Sequence, residues 1–236
     1  AFPSGAVIHD ERLDIYYGGA DSVCCMATVN LQHLLDSMTP EGRKKQVVRA
    51  ENNPILLPKK ENEWEAKLVF NPTTVDIDGK TYIIYRAMSE DNTSYMGMAV
   101  TSDGYNIDER LDEPIYVPRM DFEMKKSHPN GNSGCEDGRT TIMDGKIYVF
   151  YTAYDGINVP RVAMSYITVE DFEARKWDAW SEPQIVTPDN VDDKDACVMS
   201  EKFKGEYAIF HRVAHHICFD HIPELDFTKH RVDKCI

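Results

Sequence analysis

A loose internal repeat constrains this chain more than any other feature. Asp78-Gly79-Lys80-Thr81-Tyr82-Ile83-Ile84-Tyr85-Arg86-Ala87 recurs as Asp144-Gly145-Lys146-Ile147-Tyr148-Val149-Phe150-Tyr151-Thr152-Ala153. It recurs again as Lys204-Gly205-Glu206-Tyr207-Ala208-Ile209-Phe210-His211-Arg212, and Asp10 to Tyr17 is a degenerate fourth copy. Each copy is a polar turn followed by an aromatic and β-branched run, the composition of a half-buried strand. Three copies lead into another strand-like run, at residues 23–29, 96–101 and 161–166, and residues 215–219 are the candidate in the remaining copy. Gly79, Gly145 and Gly205 are spaced by 66 and 60 residues. A unit of roughly 60 residues holding about four short strands is a propeller blade. A two-layer sandwich, the competing architecture, predicts no such repeated unit. The expected fold class is all-β, of the β-propeller type.

Between the repeats, residues 6–17 read as two strands around a polar turn, and Trp64 to Phe70 and Thr73 to Asp76 as two more. Asn30 is a candidate N-cap for a short helix that places Leu31, Leu34, Leu35 and Met38 on one face. Val169 to Lys176 could form one or two helical turns. Residues 39–50 read as a linker, because the polar run from Thr39 to Gln46 contains Pro40 and Gly42 and can bury no face.

Composition narrows the function classes. A formal charge of -14 argues against nucleic acid or an anionic membrane as the main partner, since phosphate backbones and acidic lipids require concentrated Lys and Arg. It leaves room for a locally basic pocket that holds one small anion. No apolar run approaches 18 residues and no signal peptide is read, so no membrane span is expected. The six cysteines include a vicinal pair, Cys24-Cys25, and are otherwise widely spaced. That pattern suits neither a disulfide framework nor a zinc site, and it predicts reduced thiols in a cytoplasmic protein.

The densest chemistry lies in Ser133-Gly134-Cys135-Glu136-Asp137-Gly138-Arg139. Adjacent carboxylates beside a fixed cation are one way to push two acid pKa values apart, although alone the stretch also reads as a charged turn. In a propeller, motifs from different blades meet at one mouth of the central channel. Asp137, Arg139, Arg86, Lys194, His211 and Arg212 could therefore gather in one place. A second cluster, His215-His216-Ile217-Cys218-Phe219-Asp220-His221, would put His216, Cys218 and Asp220 on one strand face. Spacing of two within a strand gives poor tetrahedral geometry, so a buried strand is expected there rather than a metal site.

Several motifs in order carry a resemblance: Asn71-Pro72, Tyr85-Arg86-Ala87, Glu136-Asp137-Gly138-Arg139, Tyr151 to Asp155, Lys194-Asp195-Ala196 with Glu201-Lys202, and His211-Arg212. With Phe2 to Ala6 and Tyr16 to Asp21, they resemble glycoside hydrolase family 130, the β-mannoside phosphorylases and related mannosidases. The resemblance implies a five-bladed propeller, incomplete or permuted in this chain. Residues 1–38 are similar to the family domain's C-terminal blade, and 51–236 to its N-terminal three or so blades. An open propeller would also leave strand edges that a second copy could pair, which brings a homo-oligomer into the expectations.

The resemblance further implies inverting phosphorolysis of β-linked mannosides, with a β-mannoside oligosaccharide and inorganic phosphate as partners and no cofactor or metal. Asp137 matches the catalytic acid, which protonates the glycosidic oxygen through a sugar hydroxyl. Asn71, Arg86, Arg139, Asp195, Asp21 and Glu136 fall to the sugar and to holding the acid. Lys194, His211, Arg212 and Arg161 are the phosphate candidates. Gly138 departs from the family pattern, which has proline there. Two alternatives stay open: a hydrolase on the same fold, which needs a second carboxylate about 6.5–9.5 Å away to activate water, and an inactive or sugar-binding fragment. The polar, glycine-containing loop from Met120 to Asn132 is expected to shape the acceptor side.

Overall fold

In the computed structural model, which describes residues 2–39 and 47–232, the repeat resolves into four small antiparallel units. Strands β1 (Phe2–His9), β2 (Arg12–Gly19), β3 (Val23–Asn30) and β4 (Val48–Arg49) form the first sheet. Strands β5 (Leu68–Ile77), β6 (Lys80–Met88), β7 (Thr93–Thr101) and β8 (Glu109–Arg110) form the second unit. The third contains β9 (Ser133–Met143), β10 (Lys146–Tyr154), β11 (Arg161–Thr168) and β12 (Gln184–Ile185). The fourth is β13 (Asp193–Val198), β14 (Tyr207–Val213) and β15 (His216–Ile222). A short parallel pairing, Thr93 with Ser133 and Ser94 with Gly134, joins the second and third units into one sheet. Gly134 makes that join possible. Its φ is +106°, and a Cβ there would lie 2.3 Å from the Ser94 carbonyl oxygen.

Strand alternation explains why the units stack. Along β6, Ile83, Tyr85 and Ala87 point toward the first sheet, where they meet Tyr16, Cys24 and Met26. Ile84 points the other way, into a core shared with Val149, Tyr151 and Ala163 of the third unit. Phe150, Val162 and Met164 then meet Ala196, Val198 and Ile209 of the fourth. Each inner sheet is thus apolar on both faces, which a propeller blade must be.

The innermost strands are also tied to one another by side chains. Ser4 Oγ donates to the Pro72 carbonyl (2.7 Å), Thr73 and Thr140 hydroxyls meet at 2.8 Å, and Thr141 Oγ1 donates to the Val198 carbonyl (2.9 Å). These contacts run from β1 to β5 to β9 to β13.

Several expectations need correction. The assigned linker contributes a strand, because Val48-Arg49 pairs with β3, while residues 40–46 lie outside the described residues. Trp64 is not in a strand; it sits in a single 3-10 turn (Glu63–Glu65) before β5. Cys218 is disulfide-bonded, so the thiols are not all reduced. Cys24, Cys25, Cys135 and Cys197 are free, and Cys235 lies outside the described residues. Helix α1 (Leu31–Ser37) starts where expected, with the Asn30 side chain accepting from the His33 amide, but buries none of its residues. The second helix, α2 (Val169–Glu173), is capped in the same way by Thr168. Among the described residues, no helix is long and apolar enough to cross a membrane.

Candidate active site

Each innermost strand bulges near its start. Register slips occur between Pro3 and Gly5 in β1, across Phe70 to Thr73 in β5, opposite Phe150 to Thr152 for β9, and across Lys194 to Cys197 in β13. The bulges leave Asn71, Asp137 and Asp195 with φ of 47°, 52° and 56°. Asn and Asp are the side chains that occupy this left-handed region at least cost. A bulge also re-aims the side chain it carries. The outcome is three polar side chains from three different units, all lining one cavity of ≈ 510 Å³. Asp21, from the β2–β3 turn, and Arg86, Arg139 and Arg212 complete its polar wall, while Pro3 and Ile217 supply apolar surface.

Arg86 organises the cavity floor. Its side chain is 8% exposed and its guanidinium stacks on the Phe70 ring at 4.7 Å. Its Nε donates to Ser94 Oγ (3.0 Å), Nη2 to Glu136 (2.7 Å) and Nη1 to Asp137 Oδ1 (3.2 Å). Asn71 Nδ2 donates to the same Asp137 oxygen at 2.8 Å. Gly18 lets Asn71 sit there, since a Cβ at Gly18 would lie 2.2 Å from Asn71 Oδ1.

The two neighbouring acids are pushed apart. Burial raises Glu136 above the usual carboxylate range, and the repulsion of Asp137 adds to it, against the pull of Arg86 and Lys194. Burial acts on Asp137 as well, but Arg86, the Asn71 hydrogen bond and Arg139 outweigh it and hold Asp137 low. Glu136 is therefore the readier of the two to take a proton, and Asp137 is the fixed anion.

The cations divide into two kinds. Arg139 lines the cavity, makes no ion pair among the described residues, and keeps a buried Nη1 without a hydrogen-bond partner. Arg212 also lines it, with Nε donating to Asp195 at 2.7 Å. Lys194 makes no ion pair among the described residues and is close enough to Glu136 to act on its charge. Like Lys194, the remaining phosphate candidates do not line the cavity. His211 is 1% exposed, and its Nδ1 and Nε2 lie 2.7 Å from Asp193 and 3.0 Å from Asp220, so both ring nitrogens are occupied. Arg161 sits over the Phe122 ring and 3.9 Å from Asp189, at the start of β11 and away from the cavity wall.

Gly138 does not take the left-handed turn; Asp137 does. A Cβ at Gly138 would meet the flexible end of Met96 at 3.2 Å, so its smallness serves packing behind the acid. Of the candidate metal cluster, His216 is exposed, Cys218 is disulfide-bonded and Asp220 is engaged with His211. The Met120–Asn132 loop is pinned at the same mouth. Lys125 Nζ donates to Asp91, and the Lys126 amide to the Asp155 carbonyl (2.8 Å). Sequence reasoning missed Ser94, Phe70 and Gly18. Only Gly18, in the Gly18-Gly19 pair, carried a signal of close approach.

Comparison with known proteins decides the family. Residues 40–224 match the family model described as β-1,4-mannooligosaccharide phosphorylase, glycoside hydrolase family 130. The chain belongs to this family. It is similar to a β-1,2-mannobiose phosphorylase of Thermoanaerobacter sp. (strain X514), 33% identical over 71% of this chain and 54% of that protein. A 1,2-β-oligomannan phosphorylase of the same organism is 32% identical over 70% of this chain and 52% of that protein. The chain thus spans about half the length of these relatives. In structure it resembles a thermostable family-43 glycoside hydrolase (TM-score 0.63, 12% identity, 94% of this chain and 69% of that one). That likeness concerns the fold, the five-bladed propeller type common to these glycoside hydrolases.

Proposed function

We propose that this family 130 protein cleaves β-linked mannosides by inverting phosphorolysis, releasing mannose 1-phosphate. The observation that carries the reading is the cavity itself: Asp137, held by Asn71 and Arg86, shares one wall with two further guanidinium groups, Arg139 and Arg212. Asp137 is the proton donor to the leaving oxygen, passing its proton through a sugar hydroxyl. A phosphate oxygen attacks the anomeric carbon from the opposite face. Arg139 and Arg212 form the phosphate fork and Lys194 adds a point charge, the donor types that suit phosphate best. Asn71, Asp21 and Asp195 hydrogen-bond the sugar hydroxyls.

Asp137 is held low by Arg86, Asn71 and Arg139, yet a donor must carry a proton. Phosphate resolves this. Its negative charge, seated on Arg139 and Arg212, offsets the cations that keep Asp137 ionised and raises its pKa in the complex. The phosphate monoanion can also bring the proton with it.

Asp195 supports a second reading. It is a carboxylate in the same cavity as Asp137, and a hydrolase needs such a base to activate water. Its bond to Arg212 favours a structural or sugar-binding part instead. The choice is made by incubating a β-mannobiose with and without inorganic phosphate and identifying the products. Mannose 1-phosphate formed only with phosphate supports phosphorolysis, and free mannose released at a phosphate-independent rate overturns it. Cytoplasmic placement drew on six reduced thiols, and the bonded Cys218 removes that support.

A further inference from the structure

A larger concavity, ≈ 720 Å³, opens on the outer side of the second unit. Its wall is built from Trp64 and Tyr95 with Lys60, Glu63, Glu90 and Glu113. It lies at the same mouth as the central cavity, because its Ser89–Asp91 segment directly follows the strand that ends in Arg86, Ala87 and Met88. At about 3.3 Å per strand residue, Ser89 is roughly 10 Å along the chain from Arg86.

Trp64 is preorganised. Its ring stacks on Tyr85 at 6.3 Å and its Nε1 donates to the Asp112 carbonyl at 2.8 Å. Tyr85 is in turn fully buried, and its hydroxyl donates to Glu65 at 2.9 Å. The concavity therefore has a rigid aromatic wall that opens to solvent. Its charged groups differ in what they have left to offer. Lys60 and Glu90 pair with each other at 3.1 Å. Glu63 and Glu113 make no side-chain hydrogen bond or ion pair among the described residues, so their carboxylates are free acceptors.

Aromatic faces next to free acceptors suit a ligand with both C–H faces and hydroxyl donors. The acidic balance disfavours an anion. We infer that this concavity is a second sugar-binding site, taking a neutral unit of a longer oligosaccharide whose reacting end lies in the central cavity. Its link to turnover rests on the phosphorylase reading above, whereas binding itself does not.

The two are tested separately. First, β-mannoside di- and tetrasaccharides are titrated into the Asp137→Asn protein, with tryptophan fluorescence as the readout. The tetrasaccharide is expected to bind more tightly, and Tyr95→Ala and Glu113→Ala to weaken that binding about tenfold, as the loss of one good contact does. Trp64→Phe, which keeps a ring on Tyr85, should weaken it less, as followed by calorimetry. Second, in the active protein, Tyr95→Ala should lower kcat/KM for the tetrasaccharide about tenfold more than for the disaccharide. Equal affinity for the two sugars in every variant, or no oligosaccharide binding at all, overturns the site even if phosphorolysis stands. Length-dependent binding that Tyr95→Ala and Glu113→Ala remove upholds it even if no turnover is found.

Discussion

Two charged clusters sit at matching heights in this molecule and have opposite fates. In the second and third units, Arg86, Glu136, Asp137 and Asn71 converge on a cavity open to solvent. In the fourth unit, His211 is closed between Asp193 and Asp220, while its neighbour Arg212 reaches the cavity. Arg86 and Arg212 occupy equivalent registers, opposite Phe70 and Lys194 on their innermost strands. His211 is one residue earlier, and along a strand one residue is enough to turn a side chain to the other face. That face packs against the third unit, and there the ring lies between the two carboxylates. The pair His211-Arg212 is thus split between holding the fold together and serving the cavity.

The strongest test of this division is Arg86→Ala. It strands Glu136 and Asp137 without their shared cation, and breaking such a pair costs about 3 kcal/mol or more where it is buried. Urea unfolding should show that loss, and kcat should fall about 10³-fold, within the range spanned by general-acid contributions. A variant with near-normal turnover would remove Arg86 from the account.

A subtler perturbation acts through the first sheet. Gly18→Ala places a methyl group against Asn71 and so disturbs one of the two hydrogen bonds that reach the same Asp137 oxygen. Turnover should drop about tenfold, the weight of one hydrogen bond to a charged group. The alkaline limb of the pH–rate profile, where the donor Asp137 loses its proton, should move to higher pH, because the Asn71 bond helps hold Asp137 low. A purely structural effect would lower activity without moving that limb.

The smallest expected effect concerns the closed cluster. Burial works against a charge on His211, but Asp193 and Asp220 outweigh it and raise its pKa above the ordinary 6.5. A group raised in the folded state contributes its full stabilisation below the unfolded pKa and loses it as pH rises through the folded value. The stability gap between the native protein and His211→Gln should therefore be widest below about pH 6.5 and shrink as pH rises above it. A gap that widens with rising pH would contradict the assignment.

Much of the fold was legible because strand period and turn residues are local properties. The turns at Gly79, Gly145 and Gly205 and the strands after them fall where the repeat put them. The positive-φ residues Asn71, Asp137 and Asp195 are of the right chemical type in the sequence, yet nothing local says that three strands bulge at one height. The partners of His211 were not legible. Asp193 and Asp220 lie 18 and 9 residues away, and only the pairing of β13, β14 and β15 brings them together. Ser94 was hidden for the same reason: it matters through the parallel join at Gly134, which no repeat encodes. Trp64 read as the start of a strand that runs to Phe70, but the 3-10 turn at Glu63–Glu65 anchors it through Tyr85 and the buried Glu65 instead.

The division between the clusters is tested most directly by the phosphate KM of β-mannobiose cleavage, measured in parallel for Arg212→Ala and His211→Gln. Losing a charge-assisted contact to phosphate should raise KM for phosphate about 10- to 100-fold in Arg212→Ala. His211→Gln, whose ring faces two carboxylates inside the fold, should stay within about threefold of the native protein. A raised phosphate KM in His211→Gln with an unchanged one in Arg212→Ala would contradict the account.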